Sequence, residues 1–260
     1  MSLLSRTLLL LSLSLFLFPS AKAKVPPNAI FKFTNNNYFG EFLDVEYGAT
    51  YRFFSDIVVS PFTICFYNTT PNAYTLALRM GLTGTRRTTL QWVWEANGGN
   101  PVGENATFAL GANGNLVLTD TDGRVAWQSN TANKGVVGFK LLPNGNMVLH
   151  DSKGNFIWQS FNYPTDTLLV GQSLYRFGGV NKLVSRHSER ENKDGLYSLV
   201  LEPSGSMALY YKSNNSPKPL LYYSSANFSD APNKVTFEFD TNDTESGAFF
   251  LTLSAYVTAR

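Results

Sequence analysis

A 20-residue segment occurs twice in this chain, 31 residues apart, and this repeat constrains the fold more than any other feature of the sequence. Leu110–Ser129 and Leu141–Ser160 share 11 of 20 residues, including two asparagines, the glycine between them and a tryptophan. One such unit cannot cover its own apolar face, whereas about three units arranged around an axis can. The repeat therefore predicts a fold of equivalent units in which Trp127 and Trp158 point inward.

Each copy has the pattern of short strands joined by tight turns. The stretches "NLVLTD" and "NMVLHD" follow Asn-Gly pairs, and glycine and asparagine accept the positive φ that tight hairpins require. Similar short apolar stretches such as "FTICFYN" occur along the chain with almost no helical period. We expect an all-β protein. A third, weaker copy is "LEPSGSMAL" at 201–209, which matches five of nine residues of "LLPNGNMVL" at an offset of 60.

The N-terminal residues have the features of a secretory signal peptide. The apolar run "TLLLLSLSLFLF" follows a single positive charge, and the small residues Ala21 and Ala23 stand where signal peptidase cleaves. We predict a signal peptide at 1–23 and a mature chain from residue 24. The run is too short to span a bilayer, and no later segment approaches 18 apolar residues, so no membrane insertion is expected.

Charge and modification signals fit a secreted glycoprotein. A net charge of +2, from 21 basic and 19 acidic residues, gives no field for capturing nucleic acid. Glycosylation is predicted at five sequons: Asn68, Asn105, Asn214, Asn227 and Asn242. The single cysteine, Cys65, lies in a strand-like stretch and is interpreted as a buried hydrophobic residue rather than an intermolecular cross-link. The charged segment 187–195 is interpreted as a solvated loop or hairpin tip.

The sequence offers little material for catalysis. His150 and His187 have neither a nucleophile context nor a zinc-ligand spacing. A glycosidase needs two carboxylates, which composition alone does not exclude. We expect no enzyme activity, no metal and no cofactor; turnover of wall oligosaccharides would favour the enzyme alternative.

Several motifs occur together in the order typical of one family. The stretches "LQWVWEANGGNPV", "GNLVLTDTDGRVAWQSN" and "GNMVLHDSKGNFIWQSFNYPTDTLL" resemble plant bulb-type, monocot mannose-binding lectin domains over about residues 40–165. The whole chain resembles the epidermis-type secreted glycoproteins of plants, whose modules are similar to the ectodomains of S-locus glycoproteins. The resemblance implies a threefold β-prism of the second type and a location in the apoplast or cell wall.

The resemblance also implies a domain plan. An N-terminal segment at 24–39 precedes the lectin domain at 40–165, and residues 166–260 form a second, degenerate lectin-like domain that could be truncated. The boundary is expected near 162–172, where Pro164 and several turn-forming residues interrupt the pattern.

In these lectins mannose is bound by the motif Gln-x-Asp-x-Asn-x-Val-x-Tyr. The corresponding residues are Gly111, Asn113, Asn115, Val117 and Thr119 in the first copy, Leu142, Asn144, Asn146, Val148 and His150 in the second, and Glu202, Ser204, Ser206, Ala208 and Tyr210 in the third. The first two copies keep asparagine and valine, but an amide replaces the carboxylate, so we expect degenerate sites without ordinary mannose binding.

Two questions about these residues stay open on the sequence. Asn115 and Asn146 can cap the backbone of a turn or contact a ligand. Trp127 and Trp158 can fill the core or form a sugar-stacking platform. The expected partner is a cell-wall glycan or glycoprotein; the alternative is an extracellular protein-binding or structural module that binds no sugar.

Overall fold

The computed structural model describes residues 24–36, 42–43, 50–81, 91–188, 191–226, 233–239 and 251–255. The predicted signal peptide and the sequons at Asn227 and Asn242 lie outside these residues. Apart from the short 3-10 helices Pro27–Ala29 and Ser160–Asn162, all regular structure in the described residues is β-strand. The predicted all-β class is confirmed.

The strands are numbered in chain order. They are β1 Phe31–Thr34, β2 Phe42–Leu43, β3 Thr50–Val59, β4 Phe62–Asn68, β5 Tyr74–Met80, β6 Gln91–Glu95, β7 Thr107–Leu110, β8 Leu116–Thr119, β9 Val125–Gln128, β10 Gly138–Leu141, β11 Met147–His150, β12 Phe156–Gln159, β13 Ser173–Tyr175, β14 Lys182–Arg186, β15 Asp194–Leu201, β16 Met207–Tyr211, β17 Leu220–Ser224, β18 Lys234–Phe239 and β19 Leu251–Ala255.

Three antiparallel sheets surround one core in the part of the chain before residue 162, which we call the first unit. Their strand orders are β1-β7-β8-β9, β10-β11-β12 and β2-β3-β4-β5-β6. A row of three paired residues crosses each sheet at the same place: Phe108–Leu118–Trp127, Phe139–Leu149–Trp158 and Ile64–Leu78–Trp94. The strand register shifts directly after the central leucine in all three sheets. The first unit is thus built from three equivalent sheets, as a β-prism of the second type requires.

The three tryptophans of these rows meet edge to face. The ring centroids of Trp94, Trp127 and Trp158 lie 5.6 to 6.2 Å apart with interplanar angles of 71° to 82°. Edge-to-face packing is favourable for aromatic rings, so the cluster stabilises the axis through both its buried area and its ring geometry. The inward orientation predicted for Trp127 and Trp158 is confirmed. The third face comes from β2–β6 and not from the weaker copy at 201–209, which lies in a different sheet.

The N-terminal strand is part of this unit. Strand β1, inside the segment predicted at 24–39, pairs with β7 from Phe31 opposite Leu110 to Thr34 opposite Thr107. The Phe33 ring stacks on Phe54 at 4.4 Å, which joins two sheets through the core. The segment therefore completes a sheet rather than preceding the lectin unit. The 31-residue repeat gives no signal for it, because the pairing joins positions about 75 residues apart.

The outward side of the β2–β6 sheet carries a second, smaller cluster. Cys65 is fully buried there with Ala77, and the Tyr67 ring stacks on Trp92 with centroids 3.9 Å apart. Successive strand residues point to opposite faces, so Cys65 points away from the core side on which Ile64 lies. The predicted burial of Cys65 is confirmed.

Two further sheets follow residue 172 and form what we call the second unit. Their orders are β14-β15-β16-β17 and β13-β18-β19, and between them lies a small core of Leu174, Leu201, Met207 and Val235. All five residues of β17, an edge strand of the described sheet, are exposed. The division into domains at 40–165 and 166–260 stays a prediction.

Candidate functional site

The candidate site of the first copy is built on the Asn-Gly turn between β7 and β8. The turn has the predicted left-handed glycine, Gly114, at φ 79°. Next to it, Asn115 is nearly buried and its side chain is used within the protein: Nδ2 donates to Gln128 Oε1 at 2.9 Å, and Oδ1 accepts from Ser129 Oγ at 3.2 Å and from the Thr131 amide at 3.0 Å. The asparagine thereby joins the turn to the end of β9.

The second copy repeats this arrangement. Asn146 Nδ2 donates to Gln159 Oε1 at 2.8 Å, and Asn146 Oδ1 accepts from Ser160 Oγ and from the Phe161 amide, both at 3.3 Å. The Ser160 hydroxyl also accepts the Met147 amide at 2.9 Å, as Ser129 Oγ accepts the Leu116 amide at 3.0 Å. We call this set of bonds the Asn–Gln–Ser lock. It accounts for the identity of these residues in both copies, because each has buried polar partners to satisfy.

The motif residues on either side of the lock differ in accessibility. Asn113 and Asn144 are exposed, and the Oδ1 of each accepts the amide of the asparagine two residues on. Val117 is half-buried, whereas its equivalent Val148 is fully buried. The first copy therefore presents a more open outer surface than the second.

His150 occupies the motif's tyrosine position in the second copy. It is half-buried, its Nδ1 lies 3.1 Å from the Asp151 carbonyl oxygen, and it pairs across the sheet with Gly138. A side chain at Gly138 would meet the imidazole at about 2.9 Å, so the glycine leaves room for the ring. Within the described ranges, no cluster of three or more His, Cys, Asp or Glu side chains is placed to hold a metal.

The third copy, in β16, has the same lock in reduced form. The Met207 amide donates to Ser225 Oγ at 3.0 Å. One hydrogen bond of 2.9 Å joins the hydroxyl groups of Ser204 and Ser206. At the ends of the motif, the Tyr210 hydroxyl donates to Glu202 Oε1 at 2.6 Å, and this bond raises the pKa of Tyr210. This copy therefore carries a carboxylate that the first two lack.

The β2–β6 sheet has an equivalent position that the sequence comparison did not find. The Leu76 amide donates to Asn97 Oδ1 at 2.8 Å, as Leu116 and Met147 donate to their serines, which places Thr75 where the other sheets have Asn115 and Asn146. Thr75 Oγ1 accepts Asn192 Nδ2 of the second unit at 2.7 Å. The third face is thus covered by the second unit.

The segment that carries Asn192 is the charged stretch 187–195. It does join two strands, β14 and β15, as a hairpin tip would. However, it is not simply solvated, because Asn192 also accepts the Gly99 amide at 3.1 Å. The charged composition of this segment predicts that it is exposed to solvent. Its contact with Gly99 and Thr75 depends on how the two units pack together, and the local sequence does not specify that packing.

Four polar side chains form a cluster where the units meet, which we call the junction cluster. Arg186 of β14 forms ion pairs with Glu95 and, at 2.9 Å, with Asp166, and its guanidinium donates to the Tyr67 hydroxyl at 3.2 Å. Tyr67 in turn donates to Glu95 Oε1 at 2.7 Å. No sequence pattern indicates this cluster, since its members come from β4, β6, β14 and the connecting segment.

Burial is the main cause of the pKa shifts of Glu95 and Tyr67 in the junction cluster. It is the largest cause that raises the pKa of Glu95; Arg186 and the Tyr67 hydrogen bond act in the opposite direction, and Asp166 adds to the rise. Burial also raises the pKa of Tyr67, helped by Glu95. Both carboxylates already accept hydrogen bonds from the protein, and a cavity of about 230 Å³ lined by polar residues such as Thr165, Lys182 and Ser185 lies beside them.

The described sequons differ in setting. Asn105 is exposed, has φ 62° and lies in the turn before β7. Asn214 is exposed in the connection between β16 and β17, and Asn68 is half-buried at the end of β4. Glycosylation at these positions stays a prediction. In the part of the chain that the structure describes, no helix has the length and apolar character needed to cross a bilayer.

The chain matches the family described as D-mannose binding lectin over residues 89–187. Together with the three equivalent sheets of the first unit, this match makes the chain similar to proteins with a bulb-type lectin domain. The match begins later than the predicted start at residue 40 and extends beyond 165 into the second unit.

Curated relatives give a narrower identification. The chain is 58% identical to the epidermis-specific secreted glycoprotein EP1 of Daucus carota, over 88% of this chain and 59% of the relative. It is 55% identical to EP1-like glycoprotein 2 of Arabidopsis thaliana, over 89% of this chain and 51% of that protein. It is thus a homologue of the EP1 and EP1-like glycoproteins of plants, and it spans about half the length of these relatives.

More distant likenesses are to a receptor kinase and to solved lectins. The G-type lectin S-receptor-like serine/threonine-protein kinase SD2-5 of Arabidopsis thaliana is 33% identical over 52% of this chain and 15% of its own length. A Marasmius oreades lectin (18% identity, 47% of this chain, 73% of that chain) and a monomeric mannose-binding lectin from Gastrodia elata (23%, 46% and 79%) both align with a TM-score of 0.20.

Proposed function

We propose that this chain is a secreted, non-catalytic, lectin-like glycoprotein of the plant cell wall or apoplast. In this proposal it binds wall glycan weakly through several degenerate sites and does not bind mannose through the motif positions of the first two copies. The homologue EP1 of Daucus carota, which is named as a secreted glycoprotein, supports the extracellular location. N-terminal sequencing of the secreted protein tests it, with Lys24 expected as the first residue; a chain that starts at Met1 would contradict it.

The observation that carries the proposal is the internal use of Asn115 and Asn146. Each side chain makes three hydrogen bonds within its own repeat, so a sugar hydroxyl would have to compete with them. The remaining motif positions of these copies carry no carboxylate. Hydrogen bonds to charged groups contribute about 1.5–3 kcal/mol each, and a monosaccharide site has little affinity to lose, since a millimolar constant corresponds to only about 4 kcal/mol.

Restoring the motif in the first copy tests this reasoning, because Val117 leaves that surface more open than Val148 does. Calorimetry with mannose is expected to show no saturable binding for the parent protein. The triple variant Gly111→Gln, Asn113→Asp and Thr119→Tyr should gain millimolar binding, while Asn113→Asp alone should gain little. Saturable millimolar binding by the parent would sink the proposal and restore a working mannose lectin.

Residual binding should appear on multivalent ligands. Several weak sites on one chain raise the effective concentration, so retention is expected on wall polysaccharide arrays but not on a mannose column. The Glu202–Tyr210 pair is the best remaining polar site, and Glu202→Gln should weaken array binding several-fold. Retention must occur without turnover: release of reducing sugar by the purified protein would instead support a glycosidase.

The junction carboxylates do not favour that enzyme. Glu95 and Asp166 both pair with Arg186, and the Glu95 side chain is only 6% exposed. A general acid must reach the substrate oxygen with its proton, and Glu95 Oε1 already accepts from Tyr67 and Arg186. We therefore assign these residues to the connection between the units.

A second candidate function is binding of another extracellular protein. It is favoured by β17, whose residues Leu220 to Tyr223 are 49% to 63% exposed on an edge strand. Exposed apolar edge strands readily pair with other chains. A pull-down from wall extract that competing sugars do not affect, and that Leu221→Lys abolishes, would favour this function over glycan binding.

The predicted glycans provide a separate test of the secretory route. Enzymatic removal of N-glycans should lower the mass of the secreted protein, and Asn105→Gln should remove one glycan. The same glycoform mass for parent and Asn105→Gln would contradict use of this sequon.

A further inference from the structure

The junction cluster places two carboxylates around one guanidinium between the two units. The side chains of Glu95, Arg186 and Asp166 are 6%, 19% and 20% exposed, and Tyr67, the fourth member, is neutral at physiological pH. With both carboxylates ionised, the cluster holds one negative charge more than its cation neutralises. Excess charge in a poorly solvated place is costly, and a bound proton removes it.

Among the described residues, other charged groups near the cluster have their own partners or lie on the rim, and the Arg79 guanidinium lies over the Tyr51 and Trp92 rings. Lys182, Lys193 and Asp194 line the adjacent cavity. The Lys193 ammonium pairs with Glu191 at 2.8 Å, and His187 lies 3.7 Å from the same Glu191 carboxylate. Lys182 and Asp194 are both exposed and opposite in sign. The charges that pair within the junction cluster itself are those of Glu95, Arg186 and Asp166.

We propose that the junction takes up one proton on Glu95 as the two units close on each other, so that acidification holds them together more tightly. Parting the units hydrates Glu95 and separates it from Asp166, which favours the ionised form. The protonated carboxyl keeps its contacts in the closed state, since one oxygen can still accept from Tyr67 and Arg186. This pH dependence is a property beyond glycan binding and does not depend on it.

The direction of this pH dependence follows from the linkage between protonation of Glu95 and closure of the two units. Burial first, and Asp166 in addition, raise the pKa of Glu95 in the closed state, against the opposing effect of Arg186. A group whose pKa is raised in the closed state stabilises that state fully at pH values below its open-state pKa, and this contribution is lost as the pH rises through the closed-state pKa. The direction is opposite to that of an exposed Arg–carboxylate pair, which acid weakens.

Hydrogen exchange of the full secreted chain measures the opening. Protection of amides in peptides covering β6 and β14, corrected for the intrinsic exchange rate, is compared from pH 8 down to pH 4.5. One proton taken up on closing is expected to raise protection by up to about tenfold per pH unit within the titration range. Protection that is flat or rises with pH overturns the proposal.

Three variants test whether the proton taken up on closing binds to Glu95. Glu95→Gln, a neutral isostere of the protonated side chain, should keep high protection with no pH dependence in this range. Glu191→Gln and His187→Gln, which alter titratable groups on the rim, should keep the dependence of the parent. A Glu95→Gln variant that retains the parent's pH dependence overturns the assignment.

A direct titration covers the case in which Glu95→Gln folds poorly. Carbon NMR of the labelled parent protein should give the Glu95 carboxyl a pKa above the ordinary value of about 4.3 for glutamate. A value at or below that number overturns the proposal. Because neither measurement uses sugar, loss of glycan binding would leave both outcomes unaffected.

Discussion

The first and second units use the same hairpin framework but differ at the position that closes a prism. In the first unit the last strand of each sheet in chain order, which is β6, β9 or β12, places a tryptophan on the axis, and Trp94 and Trp158 are almost completely buried. In the second unit the row Leu199–Leu209–Tyr223 occupies the same register, including the shift after the central leucine, yet Tyr223 is 55% exposed. The hairpin register is therefore kept without a closed aromatic axis.

This difference separates two levels of stabilisation. The local level consists of the turn, the register and the lock, and it persists at Met207 and Ser225 even where serines replace asparagines. The nonlocal level consists of three sheets meeting at their tryptophans, and in the described residues it is complete in the first unit alone. Substitutions at matched positions of the two units separate these levels.

Truncating the axial residue should separate the units most clearly. Trp158→Ala is expected to lower the free energy of unfolding by about 3–5 kcal/mol, because it leaves a cavity between two other tryptophans. Tyr223→Ala should lower it by less than about 1 kcal/mol, because half of that ring is in water. Urea unfolding followed by circular dichroism measures both. Equal losses, or a Trp158→Ala variant that unfolds like the parent but loses glycan retention, would contradict the packing role.

Removing the asparagine of the lock should have the next largest effect. Asn146→Ala deletes three hydrogen bonds and leaves buried partners such as Ser160 and the Phe161 amide incompletely satisfied. We expect a loss of about 2–3 kcal/mol, against about 1 kcal/mol for Ser206→Ala in the second unit. If Asn146→Ala left stability unchanged, the side chain would be available for a ligand and the interpretation of the degenerate site would be wrong.

The serine of the lock should show a smaller difference in the same direction. Ser160→Ala leaves the buried Met147 amide without its acceptor, which should reduce stability by about 1–2 kcal/mol. Ser225→Ala should cost about 0.5–1 kcal/mol, since Ser225 is half-buried and water can replace its hydroxyl. Exchange of the Met147 and Met207 amides, compared in the two variants, locates each loss at its own hairpin.

A charge on the edge strands should change stability least. Leu221→Lys on β17 and Val125→Lys on β9 both alter residues that are 49% exposed, so each should remain within about 0.5 kcal/mol of the parent. Their solution behaviour should differ, because β17 has a continuous exposed apolar stretch and β9 does not. Light scattering at rising protein concentration should show less association for Leu221→Lys only; equal curves would remove the distinction between these edges.

The sequence predicted those features that depend on near neighbours along the chain. The turn at Gly114, the burial of Cys65 and the inward Trp127 follow from residue type and period, and the 31-residue repeat supports the turn and the tryptophan. From the sequence, the lock is only one of two interpretations of Asn115. A turn-capping asparagine and a ligand-binding asparagine have the same sequence context, and the position of Gln128 distinguishes them.

Features that depend on distant contacts gave no such signal. The repeat does not reveal the third face. Ile64, Leu78 and Trp94 keep the strand register of the other two sheets, but the residues around them do not match the repeated motif. Arg186 stands next to the charged stretch and resembles one more surface cation, and its pairing with Glu95 bridges about 90 positions. A one-dimensional pattern cannot specify which outer face the second unit covers, since that depends on the path of the segment after Phe161.

The lock also shapes how such a chain can diverge by mutation. Because Asn146, Gln159 and Ser160 satisfy one another, selection on folding acts on the three together, while exposed neighbours such as Asn144 can change one at a time. Paralogues descended from one duplicated chain could therefore alter their outer surfaces independently without losing the hairpins beneath. The buried bonds of the lock in this way keep the architecture constant while the exposed surface remains free to change.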